Sequence, residues 1–420
     1  MAPSARVADA IARTEASNAT DKTPLYEQIL ADIQAHAASS PATADDLNAV
    51  ADSLFGNALG VVSTRAVLAA FVTTLNSLAD DALSLAAGGH ALVLLSAQPP
   101  SSFADAAADL GALVADAHEA DEDFLAAARA LAAIPLDGPQ RKVDDAERAR
   151  VWVRIVRNYL EVGDAAAAET HLNKLRAVAQ PGLLRADPEL ALHFALSQAR
   201  VQDAKRDFLG AATRYHEVSL SPTVAEEERL RTLGAAARCA VLAPAGPARS
   251  RALGRLYKDD RAPQLPEFSI LENMFLDRLL APAEVDAFAR SLPPHQLATT
   301  ADGTTVLARA VIEHNLRAAS RLYDNIRFDA LGTLLGGLDA DAAELTTARM
   351  IEQGRLVGRI DQLTGFVYFS GDGEGVAGET VNVRTRQWDA NVESLAQQVE
   401  QVTNALQKEF PDFVAAHLAV

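Results

Sequence analysis

Along most of the chain, apolar residues recur at intervals of three and four. Leu47, Val50 and Leu54, then Val67, Leu68, Phe71 and Leu75, keep to one side of a helical period. The pattern predicts amphipathic helices up to about residue 325. Turn signals cut it at Gly88-Gly89, Pro99-Pro100, Pro135–Pro139, Gly163-Asp164, Pro181-Gly182, Pro244–Pro247 and Pro293-Pro294. Helices broken that often, with short connections, predict antiparallel helix pairs. A weak internal repeat supports this. Leu209–Tyr215 resembles Leu316–Leu322, and Ala167–His171 resembles Ala211–Tyr215 at a shift of 44. Small residues at a fixed place in a hairpin let the partner helix approach, and a shift near that size suits stacked two-helix repeats.

The pattern changes after Tyr323. Asn325–Phe328 reads as a short extended piece, and Phe328–Leu335 and Asp339–Gln353 as two helices, with Asp339 as an N-cap. Leu356–Ile360 and Phe366–Phe369 read as strands flanking the turn Asp361–Gly365. Strand, helix, helix and hairpin, in that order, predict a winged helix. Ser370–Gly378 is Gly-rich and acidic, the composition of a linker. A last helix is predicted from Trp388. Its apolar residues Trp388, Val392, Leu395, Val399, Val402 and Leu406 form a heptad seam from Val392 onward, because the steps alternate three and four.

Composition agrees with a mainly α chain. Of 420 residues, 49% are hydrophobic but only 5% aromatic, and Ala-rich stretches recur, a mix that suits packed helices better than sandwiches. The length allows two to three domains. Thirty-eight Lys and Arg face 56 Asp and Glu, a net charge of −18, which argues against general phosphate-backbone binding. The second winged-helix helix, Leu338–Gln353, carries Asp339, Asp341, Glu344 and Glu352 against Arg349, so DNA-groove reading is disfavoured there too. The single cysteine, Cys239, excludes a disulfide framework and reads as a core thiol. Met1–Thr14 has no uninterrupted apolar core of a signal peptide, and the most apolar stretch, Leu83–Ala97, is too short to span a bilayer. The expectation is a soluble, intracellular protein, bound to neither membrane nor nucleic acid; the family resemblance given below narrows its place to cytoplasm and nucleus.

Candidate chemistry is sparse. No two of the nine histidines are one, three or four residues apart, so no helical zinc scaffold is spelled out. Neither a nucleophile elbow nor a phosphate loop appears. Gly373–Gly378 fits Gly-x-Gly-x-x-Gly, but a β-prone segment follows it instead of a helix, and Asp372, Glu374 and Glu379 would repel phosphate. The reading is a chain with no catalytic residue, no metal and no cofactor. Its function would lie in interfaces: the seam Trp388, Val392, Leu395, Val399, Val402 and Leu406, and, on the winged helix, Ile326, Phe328, Val357, Ile360, Phe366 and Tyr368.

Several motifs carry a resemblance. Pro294-His-Gln-x-Ala298-Thr-Thr-Ala-Asp-Gly303 followed by Leu307-x-Arg-Ala-Val-Ile-Glu-His-Asn315 is one. Ser250-Arg-x-Leu253, Lys258-Asp-x-Arg261, Leu271-Glu-x-Met274-x-Leu-Asp-Arg278, Met350-Ile-x-x-Gly-Arg355 and Gly358-x-Ile-Asp-Gln362 are others. Trp388-Asp with Ser394-Leu395 and Gln398-Val399, and Ile134-Pro-Leu-x-x-x-Gln140, complete the set. Together they resemble the PCI subunits of the COP9 signalosome, specifically the fourth-subunit family. The likeness is specific from about Ile134 to Leu406 and faint over 1–133, and the sequence departs from the family at Ser370–Gly378.

The resemblance implies a TPR-like helical-repeat solenoid capped by a winged helix, with a C-terminal helix for a bundle between subunits. On that reading residues 1–203 form an N-terminal arm, 204–322 the helical part of the PCI domain, 323–370 the winged helix, 371–387 the linker and 388–420 the bundle helix. It further implies a non-catalytic scaffold and substrate-sensing role among PCI and MPN-domain subunits. The complex would remove Nedd8 from cullins in cullin–RING ligases, with the arm meeting the neddylated substrate and the cutting zinc site on another subunit. A PCI subunit of the proteasome lid is the alternative with the same architecture. A stand-alone hydrolase and a nucleic-acid-binding winged helix are alternatives of other classes.

Overall fold

A computed structural model describes residues 3–17, 22–37, 42–56, 60–99, 102–136, 143–299 and 303–369, together with positions 392, 395, 396, 398–400, 402, 403, 405 and 410. The chain divides into two compact units, Met1–Cys239 and Ala240–Val420.

The first unit is built from helices alone among its described residues. They are α1 (Ala5–Ala16), α2 (Thr23–His36), α3 (Thr43–Gly56), α4 (Val61–Leu78), the single turn α5 (Asp81–Leu83), α6 (Gly89–Ser96), α7 (Ala104–Ala120), α8 (Phe124–Ala132), α9 (Asp145–Val162), α10 (Ala165–Val178), α11 (Pro181–Ala186), α12 (Pro188–Ala204), α13 (Phe208–Ser219) and α14 (Glu226–Leu242), whose end crosses into the second unit. α4 is long and apolar enough to cross a membrane by length and composition. Its stripe Val67, Leu68, Phe71 and Leu75 is instead buried against α2 and α7.

The hairpins share one turn chemistry. Ala79, Glu122, Gly163 and Arg206 adopt left-handed backbone, with φ of 48°, 60°, 82° and 65°. Each is followed by an aspartate, Asp80, Asp123, Asp164 or Asp207, whose carboxylate accepts the first free N–H groups of the next helix. The four aspartates are 43, 41 and 43 residues apart. In this register Ala168, Leu172 and Leu175 of α10 correspond to Ala211, Tyr215 and Val218 of α13, all buried. The expected shift of 44 is therefore one residue long, because it aligned alanines instead of caps. Successive hairpins are joined across their first helices. Arg154 of α9 pairs with Asp116 and with Glu119 (2.9 Å) of α7, and Arg200 of α12 with Glu161 of α9 (2.7 Å). Such half-exposed pairs set register more than stability.

One expected break is absent. Gly88 and Gly89 do not end a helix. A π-helical turn, Ser84–Gly88, runs straight into α6. Gly88 is there for close packing, since a Cβ on it would lie 2.9 Å from Cγ2 of Val114.

The second unit begins with α15 (Pro247–Tyr257), α16 (Phe268–Phe275), α17 (Pro282–Ala289) and α18 (Val306–Leu322). Then come β1 (Asn325–Arg327), α19 (Phe328–Leu334), α20 (Ala340–Glu352), β2 (Gly358–Asp361) and β3 (Phe366–Phe369). The three strands form an antiparallel sheet in the order β1-β3-β2. This is the winged helix the pattern predicted, with Asp339 capping α20 through the N–H of Ala342 at 2.8 Å. The second strand lies slightly later than expected. Leu356 is buried in the core, and pairing starts at Gly358, where a Cβ would come within 2.7 Å of the Tyr368 carbonyl. Val367 and Phe369 face a core that includes Leu316, Phe328, Leu331 and Met350, while Phe366 and Tyr368 face the other way. The acidic Gly-rich stretch 370–378, Trp388 and Leu406 lie outside the described residues.

Gly332 is the tightest packing point of the winged helix, since a side chain there would collide with the Leu338 backbone carbonyl. Gly332→Ala should lower stability by about 1–3 kcal/mol. Urea unfolding of the full chain checks this, with Gly182→Ala, where the space is open, as the tolerated control.

Candidate interaction surfaces

α18 follows a simple amphipathic pattern except at Glu313, His314 and Asn315. These three consecutive polar residues are all buried, at 4%, 1% and 2% exposure. Buried polar groups are tolerable only when hydrogen-bonded, and each of these is. The Glu313 carboxylate accepts from Arg355 on both oxygens, from the Ala245 N–H (3.1 Å) and from Arg309 Nε (3.2 Å). Arg355 also donates Nε to the Ala245 carbonyl at 2.7 Å. His314 Nε2 donates to the Arg278 carbonyl at 2.8 Å. Asn315 Oδ1 accepts from the Leu280 N–H at 2.9 Å, and its amide nitrogen reaches the carbonyls of Leu280 and Leu334, both at 3.4 Å. Arg249, 3% exposed, donates to the Ala243 carbonyl at 3.1 Å.

The charges follow from these contacts. Burial alone would raise the Glu313 carboxyl, but the Arg355 and Ala245 hydrogen bonds and the Arg355 charge outweigh it and hold it below its usual value. Burial drives His314 down to about 4, so it is neutral at pH 7. Burial lowers Arg249 to about 10, partly offset by the Glu313 charge, so it stays protonated. The result is an ionised, fully satisfied network that ties α18 to the loop after α20 and to the end of α19. Sequence reasoning placed Glu313, His314, Asn315 and Arg355 in motifs without seeing this polar core. Three adjacent polar residues inside an apolar helical stretch were the available signal.

The network orients the winged-helix surface. Of the six winged-helix candidates, Ile326 and Phe328 are buried in the subdomain's own core, at 8% and 3% exposure. Ile360 packs partly against that core. Val357 is exposed at 41%, and Phe366 and Tyr368 are half-buried on the outer face of the sheet. The C-terminal seam is more open. Val392, Leu395, Val399 and Val402 are helical positions, exposed at 45%, 60%, 58% and 60%.

Cys239 is fully buried and its thiol is pushed well above the usual range, by burial first and by the nearby Asp203 carboxylate, which holds it protonated. Among the described residues no three His, Cys, Asp or Glu side chains gather in a way that could hold a metal ion.

Comparison with known proteins extends the likeness over the whole chain. The family description "PSMD12/CSN4, N-terminal" matches residues 8–227, and "PCI domain" matches residues 272–371. The "COP9 signalosome complex subunit 4" of Neurospora crassa is 48% identical over 435 aligned positions, covering 98% of each chain. That of Emericella nidulans is 48% identical, covering 95% of this chain and 97% of its own. The Arabidopsis thaliana protein of the same name is 38% identical over 73% of this chain and 76% of its own. The N-terminal residues where likeness was faint by motif are thus included in the match.

Two outcomes follow from the network. Arg355→Ala strands a buried carboxylate and should destabilise the second unit by about 3–5 kcal/mol, read by denaturant unfolding, with Arg359→Ala near neutral. Acid should act through His314. With a folded value of about 4 against 6.5 unfolded, the unfolded chain binds more protons between those values. Stability is therefore complete above pH 6.5 and falls as the pH drops toward 4. Thermal unfolding from pH 7 to pH 4.5 should show this loss, and His314→Gln should flatten it.

Proposed function

The chain belongs to the family of COP9 signalosome complex subunit 4, and from that premise we propose that it is a non-catalytic scaffold and substrate-sensing subunit of a deneddylating complex. The carrying observation is likeness at 48% identity over 98% of both chains, which leaves no large part of the molecule without a counterpart. In this proposal the complex removes Nedd8 from cullins of cullin–RING ligases in cytoplasm and nucleus, and another subunit holds the cutting zinc. The proteasome-lid alternative has the same architecture, but the relatives matched over most of the chain carry the signalosome name.

Division of labour along the chain supports the reading. We assign 1–203 to a substrate-meeting arm, 204–322 and 323–370 to the PCI helices and winged helix, 371–387 to a linker and 388–420 to a bundle helix. Stacked hairpins present a long surface for docking without an enclosed pocket. The seam Trp388, Val392, Leu395, Val399, Val402 and Leu406 is assigned to helices of other subunits, both PCI and MPN-domain. Covering its four described members would contribute roughly 6–12 kcal/mol gross, at about 1.5–3 kcal/mol each. On the winged helix, Val357, Phe366 and Tyr368 are the assigned contact residues with accessible surface, supported from beneath by Ile326, Phe328 and Ile360. Sensing needs only that the arm contact substrate differently in two states of the complex.

Replacing Val399 and Val402 together by Asp should leave both compact units folded and cut incorporation into a complex reconstituted from the remaining purified subunits at least about tenfold. Wild-type incorporation would remove the seam from the proposal. The arm is tested by deleting residues 1–102, a cut placed before α7 because that helix serves two core clusters. The complex should still assemble and should turn over neddylated cullin more slowly. Unchanged turnover would refute the sensing role.

A further inference from the structure

Beside the buried polar core of α18 lies a cavity that none of the assembly surfaces uses. It has a volume of about 110 Å³ and opens between α18 and α20. Its polar wall includes Arg309, Glu313, Thr346, Arg349, Gln353 and Arg355, so three guanidinium groups meet one carboxylate on a chain of net charge −18. That carboxylate is already saturated. Glu313 accepts from Arg355 on both oxygens, from the Ala245 N–H and from Arg309 Nε, which fills the roughly four lone-pair sites of a carboxylate. Gln353 Oε1 also accepts from Arg355, at 2.9 Å. The donors are not all spent. Among the described residues the half-exposed Arg309 gives only Nε, to Glu313 at 3.2 Å, so the N–H groups on its two terminal nitrogens remain available. Arg355 keeps one N–H after its bonds to Ala245, Glu313 and Gln353. The hydroxyl of half-buried Thr346 makes no hydrogen bond among the described residues. The other carboxylates of α20 do not enter. Asp341 and Glu344 fall on the side of the helix opposite Thr346 and Met350 by its period, and Glu352 flanks Arg349 without lining the cavity. With Arg349 left out of the sum, Arg309 and Arg355 still outnumber Glu313. Behind the wall the buried Arg249 is within electrostatic reach of Arg317 and Arg355 as well as of Glu313 and Asp277, so the balance stays positive one layer further in.

We propose that this cavity binds a phosphate dianion, free or as a monoester, held by Arg309 and Arg355 with the Thr346 hydroxyl as a further donor. Size, charge and the set of donors select it. At about 30 Å³ per water, the cavity equals three or four waters, room for one tetrahedral oxyanion but not for a nucleotide or a peptide segment. An arginine fork suits phosphate oxygens and stays charged at any physiological pH. The lining carries up to two positive charges in excess, which favours a dianion over a monoanion. Its donors come from α18, from α20 and from the loop after α20, three directions that a tetrahedral group can meet with separate oxygens and that the two coplanar oxygens of a carboxylate meet less well. Once filled, the site joins α18 to α20 beside the contact that Glu313 and Arg355 already make, so binding reinforces the seating of the winged helix. The inference goes beyond the assembly reading and does not depend on it.

The test titrates the full chain by calorimetry at neutral pH and constant ionic strength, with chloride as the balancing anion. The probes are inorganic phosphate, O-phosphoserine and malonate. At least one of the two phosphates should bind saturably, at one site per chain, and should raise the thermal unfolding midpoint as its concentration passes the dissociation constant. Arg309→Gln should weaken that binding at least about tenfold, the loss of one charge-assisted hydrogen bond, and Thr346→Val about threefold or more. Both variants should stay folded, because both positions are partly exposed and Glu313 keeps its Arg355 and Ala245 bonds. Arg176→Gln, on an exposed position of α10, should bind as wild type does. Binding of phosphoserine alone would assign the site to monoesters, and binding of inorganic phosphate alone to the free ion; either supports the proposal. No saturable binding of either phosphate, wild-type affinity in both cavity variants, an equal loss in Arg176→Gln, or malonate bound as tightly as phosphate would overturn it. None of these readouts involves assembly, so their failure leaves the scaffold reading standing.

Discussion

A two-helix hairpin covers only one side of its apolar surface, and that constraint organises this molecule. In the first unit each hairpin is covered by the next. Leu172 and Leu175 of α10 and Trp152 and Val156 of α9 share one core cluster with Leu190 and Val201 of α12, the first helix of the following hairpin. Stacking can continue only while there is another repeat to add. The second unit, taken by itself, closes its core with a sheet, whose inner residues Val367 and Phe369 cover the winged helix. Among the described residues, the seam positions Val392, Leu395, Val399 and Val402 lack such cover. They stand 45–60% exposed at heptad spacing, and this is why the proposal above assigns the stripe to foreign helices.

The winged helix is held against rocking on α18 by polar contacts more than by apolar ones. Apolar contact alone permits sliding, whereas a buried charge permits one geometry. Glu313 has its lone pairs met by Arg355, Arg309 and the Ala245 N–H, and displacement of the loop after α20 would strip the buried carboxylate of its two Arg355 hydrogen bonds. His314 and Asn315 extend the same specification to the segment before α17 and to the end of α19. Such a network contributes less to net stability than its bond count suggests, because both ions had to leave water. What it contributes is a single orientation.

Helix positions, the winged-helix order and the Asp339 cap were legible because they depend on local pattern. The limits of that legibility are also physical. Gly88-Gly89 looks like a break, yet Gly88 answers to Val114 in another helix, a contact no local window contains. Ile326 and Phe328 look like surface candidates in a short strand, but the alternation that matters is set by pairing with β3, which puts Ile326 inward. The repeat was visible through alanines and one residue out of register, since Ala-rich helices match themselves at many offsets. The aspartate after each left-handed residue was the sharper signal, because a cap has only one place in a turn. The polar core around Glu313 joins residues as far apart as Ala245 and Arg355, so only the fold could assemble it.

The seam and the polar core differ in what they can supply. A heptad seam of valines and leucines gives affinity but little discrimination, because many helices can cover it. In the assembly proposed above, the stripe on its separate helix supplies adhesion, while the buried Glu313 network fixes the orientation of the winged helix.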